Sequence, residues 1–247
     1  MRNQSLLLAI GGIVFLMLVG ALIGSGTEHG LSTPHTSRSS GSAPGGAPQL
    51  PAGTDVAAWA RSAAPDVDIP ERVLRAYANA EVLQHKKTPS CRLSWTTIAG
   101  IGSVESRHAS SRGAELGDDG KVSPPIIGIA LNGSTGGTRA VSDTDGGKLD
   151  GDARHDRAVG PMQFLPSTWK RYGADGNGDG VADPQQIDDA ALAAAGYLCA
   201  HGRDVGGSGW WSGVKAYNAS MSYARDVWDA ADEYASLAAG AVSASGR

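Results

Sequence analysis

Apolar positions recur at helical spacing in four stretches of the chain, and each predicts a helix with one buried face. The first carries Ile69, Val73, Tyr77, Ala80 and Leu83; Asp68 stands where a cap is needed, Pro70 falls in the first turn, and Pro89 ends it. The second runs from about Ser94 to Glu105. The third starts near Asp188, sets Leu192, Ala195 and Cys199 on one face, and stops at Gly202. The last, from about Ser222, gathers Val227, Ala231, Tyr234 and Ala238. Between Ser110 and Arg157 glycine and aspartate dominate, and only Ile126–Leu131 is a sustained apolar run. A long irregular segment in a compact domain predicts a functional loop or an insertion, one able to border a groove. The fold class expected is mainly α, with long loops and at most a short hairpin.

The ends of the chain read differently. Leu6 to Ile23 holds no charged residue and follows Arg2, the pattern of an export signal or membrane anchor. No Ala-x-Ala cleavage site is evident, which favours an uncleaved anchor over residues 1–24. No cysteine follows Leu18-Val19-Gly20-Ala21, so a lipid-modified N-terminus is not available. Residues 25–54 are rich in Gly, Ser, Pro and Thr and predict a flexible linker with a coil dimension of roughly 30 Å. The ordered domain is expected over 55–241, with a short tail at 242–247. The net charge is −4 with no basic run, which argues against a nucleic-acid partner and for a neutral or cationic one. Cys91 and Cys199 are the two cysteines; in an exported chain they are expected to pair, the alternative being two buried thiols.

Two segments carry chemistry. Written as a helix, Ile98-Ala99-Gly100-Ile101-Gly102-Ser103-Val104-Glu105 puts Ile98, Ile101 and Glu105 on one face, so the carboxyl points where the apolar residues point. Desolvation there raises its pKa and suits a general acid; the plain alternative is an exposed glutamate at a helix end, beside Arg107. In Asp175-Gly176-Asn177-Gly178-Asp179-Gly180-Val181, oxygen side chains at loop positions 1, 3 and 5, glycine at 6 and the Val181 carbonyl at 7 open an EF-hand-type calcium loop. Position 12 is Gln186, not the usual glutamate, and a metal-free turn is the alternative.

Glu105-Ser106, then Gly160-Pro161-Met162-Gln163-Phe164-Leu165-Pro166-Ser167-Thr168-Trp169, then Ala216-Tyr217-Asn218 form an ordered set. Together with the intervening loop, they resemble the lytic transglycosylases of the lysozyme superfamily, most of all the membrane-bound lytic transglycosylase B family, over about Ile69 to Tyr234. The resemblance implies a lysozyme-like α-domain whose groove takes peptidoglycan strands. It implies Glu105 as sole catalytic acid/base, Gln163, Tyr217 and Asn218 as substrate contacts, and Met162 beside them as groove lining or packing. It also implies that the calcium loop closes on Asp189, with Asp183 as a second candidate. The Ser110–Arg157 segment is longer than the family's usual connection.

Three functions follow as expectations. One is a lytic transglycosylase that leaves 1,6-anhydro-muramic acid ends. Another is a hydrolytic muramidase with a second carboxylate from Asp143, Asp145, Asp150, Asp152 or Asp156. The third is an inactive, calcium-braced wall-binding module. Of six tryptophans, one or two are expected in the groove.

Overall fold

The computed structural model describes residues 43–46, 48–134 and 139–245. The expected anchor, the linker up to residue 42 and the last two residues of the tail lie outside the described residues. Among the described residues no helix is long and apolar enough to cross a membrane.

Helix α3 (Trp95–Ser106) is the element that the other helices enclose, and ten of its twelve residues are buried. The Ser94 hydroxyl caps it by accepting from Thr96 N at 3.3 Å. A second fastening comes from α2 (Glu71–Lys87), whose buried Glu81 accepts from Trp95 N and Leu50 N at 2.6 Å each. Burial pushes the Glu81 carboxyl up to about 7, against the pull of those two N–H groups. Two glycines allow close approach. A Cβ on Gly100 would lie 2.6 Å from Val227 O of α7 (Met221–Ser245), and one on Gly102 would clash with the Tyr77 hydroxyl of α2. Ile98 and Ile101 are fully buried, each worth about 2 kcal/mol by transfer.

Around this axis α2 also packs on α1 (Val56–Val67) and on α5 (Ile187–Leu198). The short α4 (Pro166–Tyr172) leans on α5, and α6 (Trp210–Tyr217) lies against α5 and α7. Trp210 joins α6 to α3: its ring is fully buried and its Nε1 donates to Thr97 Oγ1 at 3.0 Å. The expected hairpin is β1 (Glu115–Leu116) against β2 (Val122–Ser123), antiparallel with Leu116 opposite Val122. The mainly α fold class and the four expected helices are present.

The details differ at several points. Asp68 does not cap α2; it ends α1 with φ 52°, and α2 begins at Glu71 behind Pro70 with no side-chain cap. Helix α1 itself escapes the periodicity reading because Pro65 interrupts it and alanines fill its buried side; Asp55 caps it through Ala57 N and Ala58 N. The packed part also reaches back into the expected linker. Ala43 is buried, Gly45 N donates to Asp232 Oδ1 at 2.9 Å, and Gln49 Nε2 donates to Leu93 O at 3.2 Å. Composition does not disclose such a stretch because part of its bonding uses backbone groups, which every residue carries.

Cys91 and Cys199 form a disulfide, with Cα atoms 5.5 Å apart and a sequence separation of 108. It ties the approach to α3 to the end of α5. Cross-linking so long a loop removes about 4 to 5 kcal/mol of entropy from the unfolded chain in the loop-closure model. The Cys91→Ser/Cys199→Ser variant should therefore unfold at clearly lower denaturant concentration than the oxidised protein. Coincident unfolding curves would show that the bond does not form or does not matter.

Candidate active site

Glu105 lies one residue before the end of α3, and the chain then turns sharply. Arg107, His108 and Ala109 all take left-handed conformations, with φ of 52°, 57° and 68°. Arg107 N and His108 N return to Ser103 O and Gly102 O at 3.0 Å each, closing the last helical turn. The Ser106 hydroxyl accepts from Ala109 N at 2.9 Å, which gives the serine after Glu105 a local role. His108 is held between two phenols, Nδ1 at 3.2 Å from Tyr77 Oη and Nε2 at 2.9 Å from Tyr234 Oη. Burial lowers its pKa to about 4.

The Glu105 side chain is 6% exposed and lines a cavity of about 1100 Å³. Desolvation raises its pKa from 4.5 to about 8, although the hydrogen bond from Tyr223 pulls the other way. That bond runs from Tyr223 Oη to Glu105 Oε1 at 2.6 Å. Tyr223 is absent from the expectations above, yet it extends the Val227–Ala231 stripe of α7 by one further step of four. The helical period carries the signal for its burial, but not for the carboxyl it meets.

The cavity wall brings Gln163, Tyr217 and Asn218 together with Glu105. Gln163 sits at φ 49° and its Nε2 donates to Gly160 O at 2.9 Å, so the tight Gly160–Gln163 turn fixes its side chain. The Tyr217 hydroxyl donates to Met162 O at 2.6 Å, and burial followed by the nearby Glu105 pushes its pKa well up. Asn218 is buried, with Oδ1 accepting from Ser220 N at 3.0 Å. For Met162 the structure gives packing and not groove lining: its side chain is 0% exposed and belongs to the core, outside the cavity wall. A flexible apolar side chain on a tight turn fills the interior behind Gln163, leaving its carbonyl to hold Tyr217.

The Ser110–Arg157 segment reaches the cavity through Leu131. None of its aspartates lines that cavity. Instead, Asp143, Asp145 and Asp156 bring their oxygens within 4.8 Å of one another away from the cavity wall. Asp156 accepts from Thr144 N and Oγ1, and Asp143 accepts from the backbone of Asp145, Gly146 and Gly147, so the loop is braced by its own N–H groups. Of the tryptophans, Trp211 lines the cavity, and its buried Nε1 lacks a partner among the described residues.

The Asp175 loop is folded around its own side-chain oxygens. Asp175 accepts from Gly178 N and Gly180 N, Asn177 Oδ1 from Asp179 N, and Asp179 Oδ1 from Val181 N. Asp189, fully buried, accepts from Gly176 N, Asn177 N and Asp183 N, and thus draws the loop onto the start of α5. Burial raises the Asp189 pKa. The donor set is all oxygen, which fits a hard cation. Asp183 is turned away to Lys121 Nζ at 2.7 Å.

The raised pKa of Glu105 carries a stability consequence. Between 4.5 and about 8 the folded state holds a proton that the unfolded chain has lost. Folding is therefore favoured most below 4.5 and loses stability as pH rises through that window. Glu105→Gln has no such proton to lose, so its stability relative to the wild type should grow from pH 5 to pH 8, by on the order of 2 kcal/mol. Parallel stability curves across that range, measured by urea unfolding, would mean the carboxyl is not buried as described.

No curated protein sequence matches the chain. Two solved structures of the Escherichia coli lytic transglycosylase SLT35, one with calcium and one with bulgecin A, align at 17% identity with a TM-score of 0.46. The alignments cover 74% of this chain and 80% of that one with calcium, and 76% and 81% with bulgecin A. The family comparison falls on the segment that runs from Asp156 through Gln163, α4, the Asp175 loop and α5 to Trp211: residues 156–211 match the family model of the transglycosylase SLT domain.

Proposed function

We propose that the protein is a lytic transglycosylase that cleaves the bond between N-acetylmuramic acid and N-acetylglucosamine in peptidoglycan, with Glu105 as its sole acid and base. The observation that carries this reading is that Glu105 is the only carboxyl in the cavity wall among the described residues. Tyr223 donates to Oε1, so the carboxylic proton resides on Oε2. Glu105 gives that proton to the glycosidic oxygen as the bond to the muramic acid anomeric carbon breaks. The substrate's N-acetyl group stabilises the cationic carbon. Glu105 then takes the proton from the C6 hydroxyl, whose oxygen closes the 1,6-anhydro ring; no water is consumed and Glu105 ends protonated. Gln163 contacts the sugar beside the bond, and Tyr217 and Asn218 form the facing wall.

Hydrolysis loses support because its usual second carboxylate has no source in the cavity wall. A wall-binding module has no use for a buried carboxyl that destabilises the fold at neutral pH. Action on peptidoglycan places the domain outside the cytoplasmic membrane, where Cys91 and Cys199 can oxidise. The loop of Asp175, Asn177, Asp179 and Asp189 with the Val181 carbonyl would hold calcium. Bound there, calcium would neutralise the carboxylates and brace the loop that follows the Gln163 segment. The membrane-bound lytic transglycosylase B family is the closest reading of the motif set.

Products from purified wall should carry anhydro ends, lighter by one water than hydrolytic ends and free of label from heavy-oxygen water. The rate should fall above pH about 8 as the acid loses its proton. Glu105→Gln should remain folded and lose the activity; reducing, labelled ends from the wild type would show water as the nucleophile.

Calcium should raise the melting temperature of the full chain, and Asp179→Ala should remove that rise, since a ligand of the folded state stabilises it by mass action. A chelator that leaves the wild-type curve in place would make the loop a metal-free turn.

A further inference from the structure

The chain is anionic, with a net charge of −4, but its cavity wall is not. Arg171, Arg203 and Lys215 line it, with His201 beside them, and no aspartate does. The three permanent cations come from three different elements. Arg171 ends α4, Arg203 follows α5, and Lys215 stands on the last turn of α6.

A plain account of such cations is that they serve the helix ends, and Arg203 does so. Its Nη1 donates to Tyr197 O at 3.1 Å and Leu198 O at 3.4 Å, which satisfies carbonyls at the end of α5. Arg171 and Lys215 are otherwise placed. Both are exposed to the cavity, Arg171 lies over the Tyr172 ring at 5.2 Å, and neither forms an ion pair among the described residues. Elsewhere Arg72, Arg92, Lys121 and Arg157 are matched to aspartates. The cavity cations have no internal counter-charge, and a concave wall with one sign of charge concentrates the opposite sign in the ligand.

The uncharged sugars of a glycan strand do not supply that charge. The muramic acid substituent does: its lactyl group ends in a carboxylate, or in a peptide stem that bears carboxylates of its own. We infer that Arg171 and Lys215 recognise carboxylates carried on muramic acid, making them specificity residues of the groove. This rests on the transglycosylase reading and goes beyond it, because cleavage of the glycosidic bond does not require any of them. A guanidinium offers a planar fork that suits a carboxylate, whereas Lys215 acts as a point charge on a flexible stem.

The test is binding to full-length Glu105→Gln protein, which prevents turnover. Three tetrasaccharides of alternating N-acetylglucosamine and N-acetylmuramic acid serve as probes: with peptide stems, with bare lactyl carboxylates, and with the lactyl carboxyls converted to methylamides. At low ionic strength the carboxylate-bearing forms should bind about five- to tenfold more tightly than the amide, as expected for two partly exposed charge contacts. Adding Arg171→Gln and Lys215→Gln should bring the ratio close to one. Salt should shrink the ratio in the unmodified pair, a readout that needs no further variant. A stem-bearing ligand tighter than the bare lactyl form identifies the peptide as the source of the charge, and equality identifies the lactyl group. Equal binding of the amide, or a preference that survives the double change, overturns the inference and leaves the transglycosylase reading intact. Failure to bind all three overturns the transglycosylase reading first, and this one with it.

Discussion

A carboxyl removed from water at the end of a buried helix is the constraint on which the rest of this structure depends. Glu105 keeps its proton because it is costly to ionise, and it is costly because α3 is surrounded. The surrounding has to be close. Gly100 lets the α7 backbone approach, Gly102 leaves room for Tyr77, and Tyr223 closes over the carboxyl with its hydroxyl. Close packing keeps the helix that carries the carboxyl out of water, so packing and acidity are one property here.

Stability elsewhere offsets that cost. Glu81 binds the start of α3 to the chain before α1, and the disulfide fixes the approach to α3 to the far end of α5. At the other end of α3 the turn through Arg107, His108 and Ala109 holds three successive residues in a conformation unfavourable for side chains. Backbone bonds to Gly102 O and Ser103 O and the Ser106 hydroxyl over-determine it. The acid is thus set between two reinforced helix ends.

How much of this the sequence discloses depends on the kind of signal. Helical period marks α2, α3, α5 and α7, and the ordered motifs mark Glu105, Gln163, Tyr217 and Asn218, which the fold gathers into one cavity. Period fails for α1, where alanines and Pro65 weaken the contrast, and for α4 and α6, which are too short to show one. Met162 reads two ways in the sequence because its neighbour Gln163 faces the groove while the turn sends Met162 inward. Tyr223 and the cavity cations are hidden for a different reason. Tyr223 is 118 residues from the carboxyl it meets, and the cations reach one cavity wall from three separate elements. Net charge pointed to a neutral or cationic partner, but a sum over the whole chain does not describe one concave wall.

The two phenols around His108 have a consequence for proton order. With its pKa lowered to about 4, the imidazole is neutral at the pH of most surroundings and bears a single N–H. One ring nitrogen must then donate while the other accepts, so Tyr77 and Tyr234 cannot present their hydroxyls in the same sense. Whichever phenol accepts from the ring must send its own hydrogen elsewhere, and whichever donates is committed to the ring. The choice of tautomer therefore sets a direction that runs from α2 through the turn after Glu105 to α7, and none of the three groups can reverse its hydrogen unless the others reverse with it.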